Sequence, residues 1–191
     1  MKNNETKQLS LFNAAAIPVR KLFVFESAHA QPYYNPGSST GDKIQVKFEI
    51  LNSEKNHLGM PMPKGKVRVY KQDNDGALQF VGEDEIDHTP RDEKVRLFIG
   101  NAFDLVGERK QTSSRSVQAD GRNVQRYSYE ISLRNHKNTE VTITDVEHAY
   151  GDWIVLNSSM PYIKKDSHTF EFAAKVPANG ETKITYEIEI K

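Results

Sequence analysis

The densest run of groups able to do chemistry is Glu83-Asp84-Glu85-Ile86-Asp87-His88, four carboxylates and an imidazole within six residues. Carboxylates beside an imidazole are the ingredients of a metal site or of general acid–base catalysis. They are also what the solvated end of a strand looks like, and short clusters match by chance more often than by function, so the strand end is the expectation. Geometry points the same way. In an extended chain Asp84, Ile86 and His88 share one face, and Glu83, Glu85 and Asp87 take the other. At ~3.3 Å per residue Asp84 and His88 stand ~13 Å apart, whereas ligands of one ion each lie within roughly 2–2.5 Å of it. The segment by itself is therefore expected to bind no metal. Glu83, Glu85, Asp87 and His88 remain candidates for a binding surface, together with Tyr33 and Tyr34, two aromatics in a loop whose flanks offer them no core.

Other motifs give less. Asp73-Asn74-Asp75-Gly76 superficially resembles the start of a calcium loop, but Lys71 and Gln72 occupy the wrong places and no distant glutamate completes the spacing. A hairpin turn with Gly76 at positive φ is the better reading. His29, His57, His88, His136, His148 and His168 are dispersed, with no i, i+4 helical pair or short zinc-type spacing. The chain has no G-x-S-x-G elbow, no G-x-x-x-x-G-K-[ST] phosphate loop and no G-x-G-x-x-G. No catalytic residue, metal ligand or cofactor is assigned from these patterns. Trp153, the single tryptophan, could stack on a sugar, but in a sandwich such a residue more often plugs the core, where we expect it.

The elements that must position these groups are strands. Period-two alternation dominates: Ile44, Val46, Phe48 and Ile50; Tyr127, Tyr129, Ile131 and Leu133; Ile184, Tyr186, Ile188 and Ile190 each alternate with polar or charged neighbours, and Val95, Leu97 and Ile99 alternate with Lys94, Arg96 and Phe98. That pattern describes antiparallel sheet with one wet face. In Val141–Tyr150 the apolar phase runs odd through Ile143 and becomes even at Val146, which predicts a bulge near Thr144-Asp145. Only Phe12–Ile17 offers a turn of helix, and His29–Asp42 reads as a long loop rich in Pro, Gly and Ser. The fold class is all-β.

The chain also repeats itself. Ile44–Leu51, Asn52-Ser53-Glu54-Lys55, Val67–Tyr70 and Val95–Ile99 make one pass; Tyr127–Leu133, Asn135-His136-Lys137-Asn138, Val141–Val146 and Ile184–Ile190 make another. The expectation is two antiparallel immunoglobulin-like β-sandwich modules, residues 1–102 and 103–191, joined near Gly100–Phe103, with one continuous sandwich as the alternative. Asn4-Glu5-Thr6-Lys7 followed by Leu9 and Leu11 resembles the stretch Asn179–Tyr186, so residues 1–12 are read as the closing strand of a domain upstream, and the chain as a fragment.

Size and charge set the outer bounds. The 191 residues can build one or two cores without staples, and the absence of cysteine removes disulfides, thiolate metal sites and a cysteine nucleophile. Twenty-six basic residues balance twenty-six acidic ones, which gives no global field toward nucleic acid. Arg115, Arg122 and Arg126 near Tyr127 and Tyr129 are accordingly read as solvated strand edges. No apolar run reaches the ~20 residues needed to span a bilayer.

Pro63-Lys64-Gly65-Lys66-Val67-Arg68-Val69-Tyr70, followed by Leu78–Asp84, Ile86–Pro90, Phe103–Val106, Glu108–Lys110 and Leu133–Lys137, carries a likeness to a known family. On these residues, at Gly59–Arg109 above all and through essentially the whole chain to Lys191, the chain resembles the bacterial family called domain of unknown function 4139. The resemblance implies a longer, usually exported bacterial protein with an N-terminal β region and a coiled coil upstream, hence a periplasmic or extracellular setting. Some relatives are labelled mucoidy inhibitor. It implies no mechanism, cofactor or ligand, so no site residue is carried over from it. The expected function is a non-catalytic binding or scaffolding part of a bacterial envelope protein, with a protein or polysaccharide partner. The alternatives are a fragment of a hydrolase acting on cell-wall or extracellular polymer through the acidic run, and an assembly subunit that docks by an edge strand.

Overall fold

The computed structural model describes residues 13–26, 39–119 and 121–191. Among these, strands account for nearly all regular structure, and the one helical piece is a 3-10 turn at Glu54–Asn56. The strands are β1 (Arg20–Glu26), β2 (Ser39–Leu51), β3 (Gly65–Gln72), β4 (Leu78–Ile86), β5 (Lys94–Ala119), β6 (Arg122–Asn135), β7 (Val141–His148), β8 (Trp153–Ser158), β9 (Tyr162–Lys164), β10 (Thr169–Val176) and β11 (Gly180–Ile190). They form a nine-stranded sheet in the order β8-β11-β6-β5-β2-β1-β7-β10-β9 and a separate β3–β4 hairpin. Residues 13–17 are not helical, and Ala16 takes a positive φ of 56°. Tyr33, Tyr34 and the proposed N-terminal closing strand lie outside the described residues, as does the proposed loop His29–Asp42 except for residues 39–42, which are not loop but the start of β2.

The chain divides into two compact units, one formed by the residues up to Arg20 with Phe48–Leu97, the other by Lys21–Lys47 with Phe98–Lys191. The later break, Leu97/Phe98, falls a few residues before the joint expected from the sequence pattern, and the second unit also takes in β1. The cause is a parallel pairing of β1 with β7, in register from Phe23 opposite Ile143 to Glu26 opposite Val146. That pairing seats Phe25 in the second unit's core.

The second unit is a sandwich made by one sheet rolled over itself. β11 and β10 stand near opposite ends of the strand order, yet the Tyr186 ring of β11 meets Phe170 and Phe172 of β10 at 5.5 and 5.7 Å between centroids. The alternating apolar residues read from the sequence supply the interior: Ile131 and Leu133 of β6, Ile184 and Ile188 of β11, and Ile143 of β7 are all buried. Trp153, 7% exposed, closes one end of this core as expected, stacking on Phe170 at 5.2 Å and donating its Nε1–H to Ser167 O at 2.7 Å. Gly107 of β5 is required by a close approach: a Cβ there would lie 2.2 Å from the ring of Phe25.

In the first unit, the turn between β3 and β4 is the hairpin connection anticipated. Gly76 takes φ 85°, its N–H donates to Asp73 O at 3.0 Å, and Asp73 N–H donates to Ala77 O at 2.8 Å. Val95 and Leu97 are buried as their alternation requires.

The repeated asparagines do the same job twice. Asn52 is buried, donates from Nδ2 to Met60 O and Pro90 O at 2.8 Å each, and accepts the Gly59 N–H at 3.0 Å. Asn135 is buried, donates from Nδ2 to Thr139 O, Val176 O and Pro177 O, and accepts the Lys137 N–H at 2.9 Å. Each amide thereby satisfies loop carbonyls that would otherwise be stranded away from water.

Candidate functional site

The acidic run lies on β4 and just beyond it, and the hairpin decides where its side chains go. Antiparallel pairing sets Arg68 opposite Glu83 and Lys66 opposite Glu85. Glu83 receives both neighbouring cations, with Lys66 Nζ at 2.8 Å and Arg68 Nε at 3.2 Å, and these two hydrogen bonds hold its carboxyl below the ordinary range. Asp87 Oδ1 accepts the His88 N–H, and His88 Nδ1 accepts the Lys64 N–H at 3.2 Å. The candidate residues are thus spread over the hairpin face and a turn. Among the described residues no group of three or more His, Asp or Glu side chains is arranged to hold a metal ion. His88 also lines a shallow, mostly apolar groove of about 490 Å³ with Pro61, Met62, Pro63, Thr89 and Pro90.

Further along the same hairpin face the polarity changes. Tyr70 pairs with Phe80 and Gln72 with Leu78, next to a register shift between Val69 and Tyr70. The two rings meet edge to face at 5.7 Å while remaining 49% and 57% exposed, and Leu78 is 70% exposed. A ladder of charge thus gives way to a wet aromatic rung. The sequence reading placed Tyr70 on a strand beside this turn but did not single out the rung, because the pairing of Tyr70 with Phe80 depends on the register shift that precedes it.

The most perturbed ionisable groups lie elsewhere, inside the second unit, and sequence reasoning missed them. The bulge predicted near Thr144-Asp145 is absent: β7 keeps an unbroken register with β10 from Val141 to His148. The odd face therefore continues inward through Asp145 and Glu147, two buried acids. Glu147 is gripped by Arg109 of β5, whose Nε lies 3.1 and 2.9 Å from its two oxygens, and by the hydroxyl of Tyr186. Arg109 Nη2 also donates to Tyr186 Oη at 3.0 Å, and its guanidinium lies 3.7 Å over the Tyr129 ring. Burial alone would lower the Arg109 pKa, but the Glu147 charge outweighs it and holds the guanidinium firmly protonated. Burial pushes the Tyr186 hydroxyl well above its ordinary pKa, with the Glu147 charge adding to it.

Asp145 has no such partner. Neither oxygen makes a hydrogen bond to any described residue, and burial, reinforced by the nearby Glu147 charge, lifts its pKa well above the usual carboxylate value. Removing a carboxyl from water disfavours its charged form. The cluster is closed to substrate, with Asp145 and Glu147 0% and 2% exposed, so its chemistry is that of a polar strut across the core.

No family model, curated protein or solved structure matches the chain.

Proposed function

We propose that this chain is a non-catalytic binding part of a larger bacterial envelope protein, and that it engages a protein partner through the β3–β4 hairpin. The observation that carries this reading is the exposed Tyr70–Phe80 rung with Leu78 beside it, at the end of a strand ladder fixed by Lys66, Arg68 and Glu83. Large aromatics held in place by their neighbours and edged by charge are what protein interfaces use as anchors. The aliphatic Leu78 and Val81 beside them suit an apolar protein pocket better than a hydroxyl-rich polymer. The resemblance to domain of unknown function 4139 supports the bacterial, exported setting. The parallel β1–β7 pair and the rolled sheet favour describing the second unit as immunoglobulin-like.

The test places a photo-crosslinking amino acid at position 78 of the full-length protein in its bacterial host. A discrete protein adduct, lost in Tyr70→Ser/Phe80→Ser and absent when the probe sits at Gln118, supports the reading. No adduct in the unsubstituted protein overturns it. The hydrolase alternative is checked alongside it: release of reducing ends from peptidoglycan or exopolysaccharide, abolished by Asp87→Asn or His88→Ala, would put the acidic run in a catalytic role.

A further inference from the structure

On the outer face of the second unit two β-bulges fall on the same row of the sheet. In β5 the register against β6 shifts between Gln111 and Ser113, leaving Thr112 extra; in β8 the register against β11 shifts opposite Glu187/Ile188, leaving Leu156 extra. Between them Ser128 pairs with Glu187. The row Ser113–Ser128–Glu187–Asn157 therefore crosses four adjacent strands, flanked by a bulge on each side. A bulge adds local twist and bends its strand, and bulges are frequent beside binding sites. Here the result is a shallow hollow of about 350 Å³ lined by Thr112, Ser128, Glu130, Asn157, Thr185 and Glu187, with Tyr129 and Tyr186 beneath.

The hollow's polar groups fall into two sets. The carboxylates are occupied: Glu187 pairs with Arg115, and Glu130 with Lys183 at 3.2 Å. The hydroxyls of Thr112, Ser128 and Thr185 and the amide of Asn157 make no side-chain hydrogen bond to any described residue. These four groups can each both donate and accept, and they sit on strands spaced about 4.8 Å apart. The ligand chemistry that answers such a set is uncharged and itself dense in groups that donate and accept, at intervals like those of alternate hydroxyls on a pyranose ring. A charged ligand finds no free counter-charge, and an apolar one strands the hydroxyls. The volume lies near the small end of ligand sites, roughly 300–1,000 Å³, which limits the occupant to one or two rings.

We infer that this double-bulge hollow is a binding site for a neutral sugar unit. It is separate from the hairpin and uses different residues. With both tyrosines facing inward and no exposed ring to stack on, binding rests on hydrogen bonds and is weak, in the millimolar range.

The test is a titration of the isotopically labelled whole chain, followed by amide chemical shifts, with methyl β-glucoside, N-acetylglucosamine and glucuronate as separate probes. The expected result is saturable shifts with a neutral sugar, centred on Thr112, Ser128, Asn157 and Thr185. Asn157→Ala and Ser128→Ala should each weaken binding several-fold while leaving the rest of the spectrum in place, since both positions face outward. No response to either neutral sugar overturns the inference, as do a preference for glucuronate or shifts centred on the hairpin. Because the crosslink at position 78 reads a different surface, failure here leaves the protein-partner reading standing, and the reverse holds too.

Discussion

Arg109 Nε lies 2.9 Å from Glu147 Oε2 in the interior of the second unit, with the two side chains 10% and 1% exposed. A buried ion pair gains strength from its low-dielectric surroundings but has already given up the hydration of both charges, so its net worth is small and the cost of breaking it is large. Glu147→Ala leaves the guanidinium uncompensated and should destabilise the protein by about 3–5 kcal/mol in urea unfolding. The double variant Arg109→Met/Glu147→Leu, which removes both charges, should lie much closer to the unsubstituted protein. A double variant as unstable as the single one would show that the pair itself supplies the stability.

Asp145 makes a prediction about pH. Its folded pKa is raised above that of the unfolded chain, chiefly by burial and then by Glu147, so on raising pH the unfolded state releases the proton first. The group's favourable contribution is complete below the unfolded carboxyl's value of about 3.9 and is lost progressively as pH rises toward the folded value. Asp145→Asn removes this titration. The variant should gain stability relative to the unsubstituted protein as pH rises from acid to neutral, measured as the difference in unfolding free energy at each pH. A difference independent of pH would mean that Asp145 is ionised in the folded protein.

The sequence announced the interior of the second unit well and its polar centre poorly, for one reason. Alternation locates a strand's inner face when that face is apolar, and Ile131, Leu133, Ile184 and Ile188 all obey it. In β7 the inner face carries Asp145 and Glu147, which alternation counts as outward, so the same rule invented a change of phase at that point. The partners of Glu147 come from β5 and β11, 38 and 39 residues away along the chain, and no local pattern discloses them. β1 was equally hidden: nothing local in its seven residues says that they pair in parallel with β7. The hairpin turn was legible because its determinants, Asp73 through Gly76, act on their own neighbours.

The two asparagines, noticed in the sequence only as a repeated turn, should prove to be of similar energetic weight. Asn52→Ala deprives the Met60 and Pro90 carbonyls and the Gly59 N–H of their partner. Asn135→Ala does the same to the Thr139, Val176 and Pro177 carbonyls and the Lys137 N–H. Stranding buried polar groups costs roughly 1–3 kcal/mol, and each substitution should lower the midpoint of denaturant unfolding accordingly. Asp in place of either residue keeps the acceptor but loses the Nδ2 donor, so it should not restore stability. A neutral effect for either alanine variant would mean that water takes over the carbonyls.

Gly107 and Phe25 provide the sharpest test of the parallel β1–β7 arrangement, because the contact exists only if β1 lies where that pairing puts it. The glycine is not needed for its backbone, since it has no positive φ; it is needed because a Cβ would sit 2.2 Å from two carbons of the Phe25 ring, inside any tolerable contact. A fully buried ring in a packed core cannot step aside freely, so Gly107→Ala forces a shift of β1 and should cost about 1–3 kcal/mol, the usual range for overpacking, or more. Phe25→Leu alone should also destabilise, through the space it leaves. Combining the two relieves the clash with the smaller side chain, so the double variant should be less unstable than the sum of the single changes, a coupling expected only of residues in contact. Additive effects within about 0.5 kcal/mol would remove Phe25 from beneath β5 and, with it, the parallel strand that carries it there.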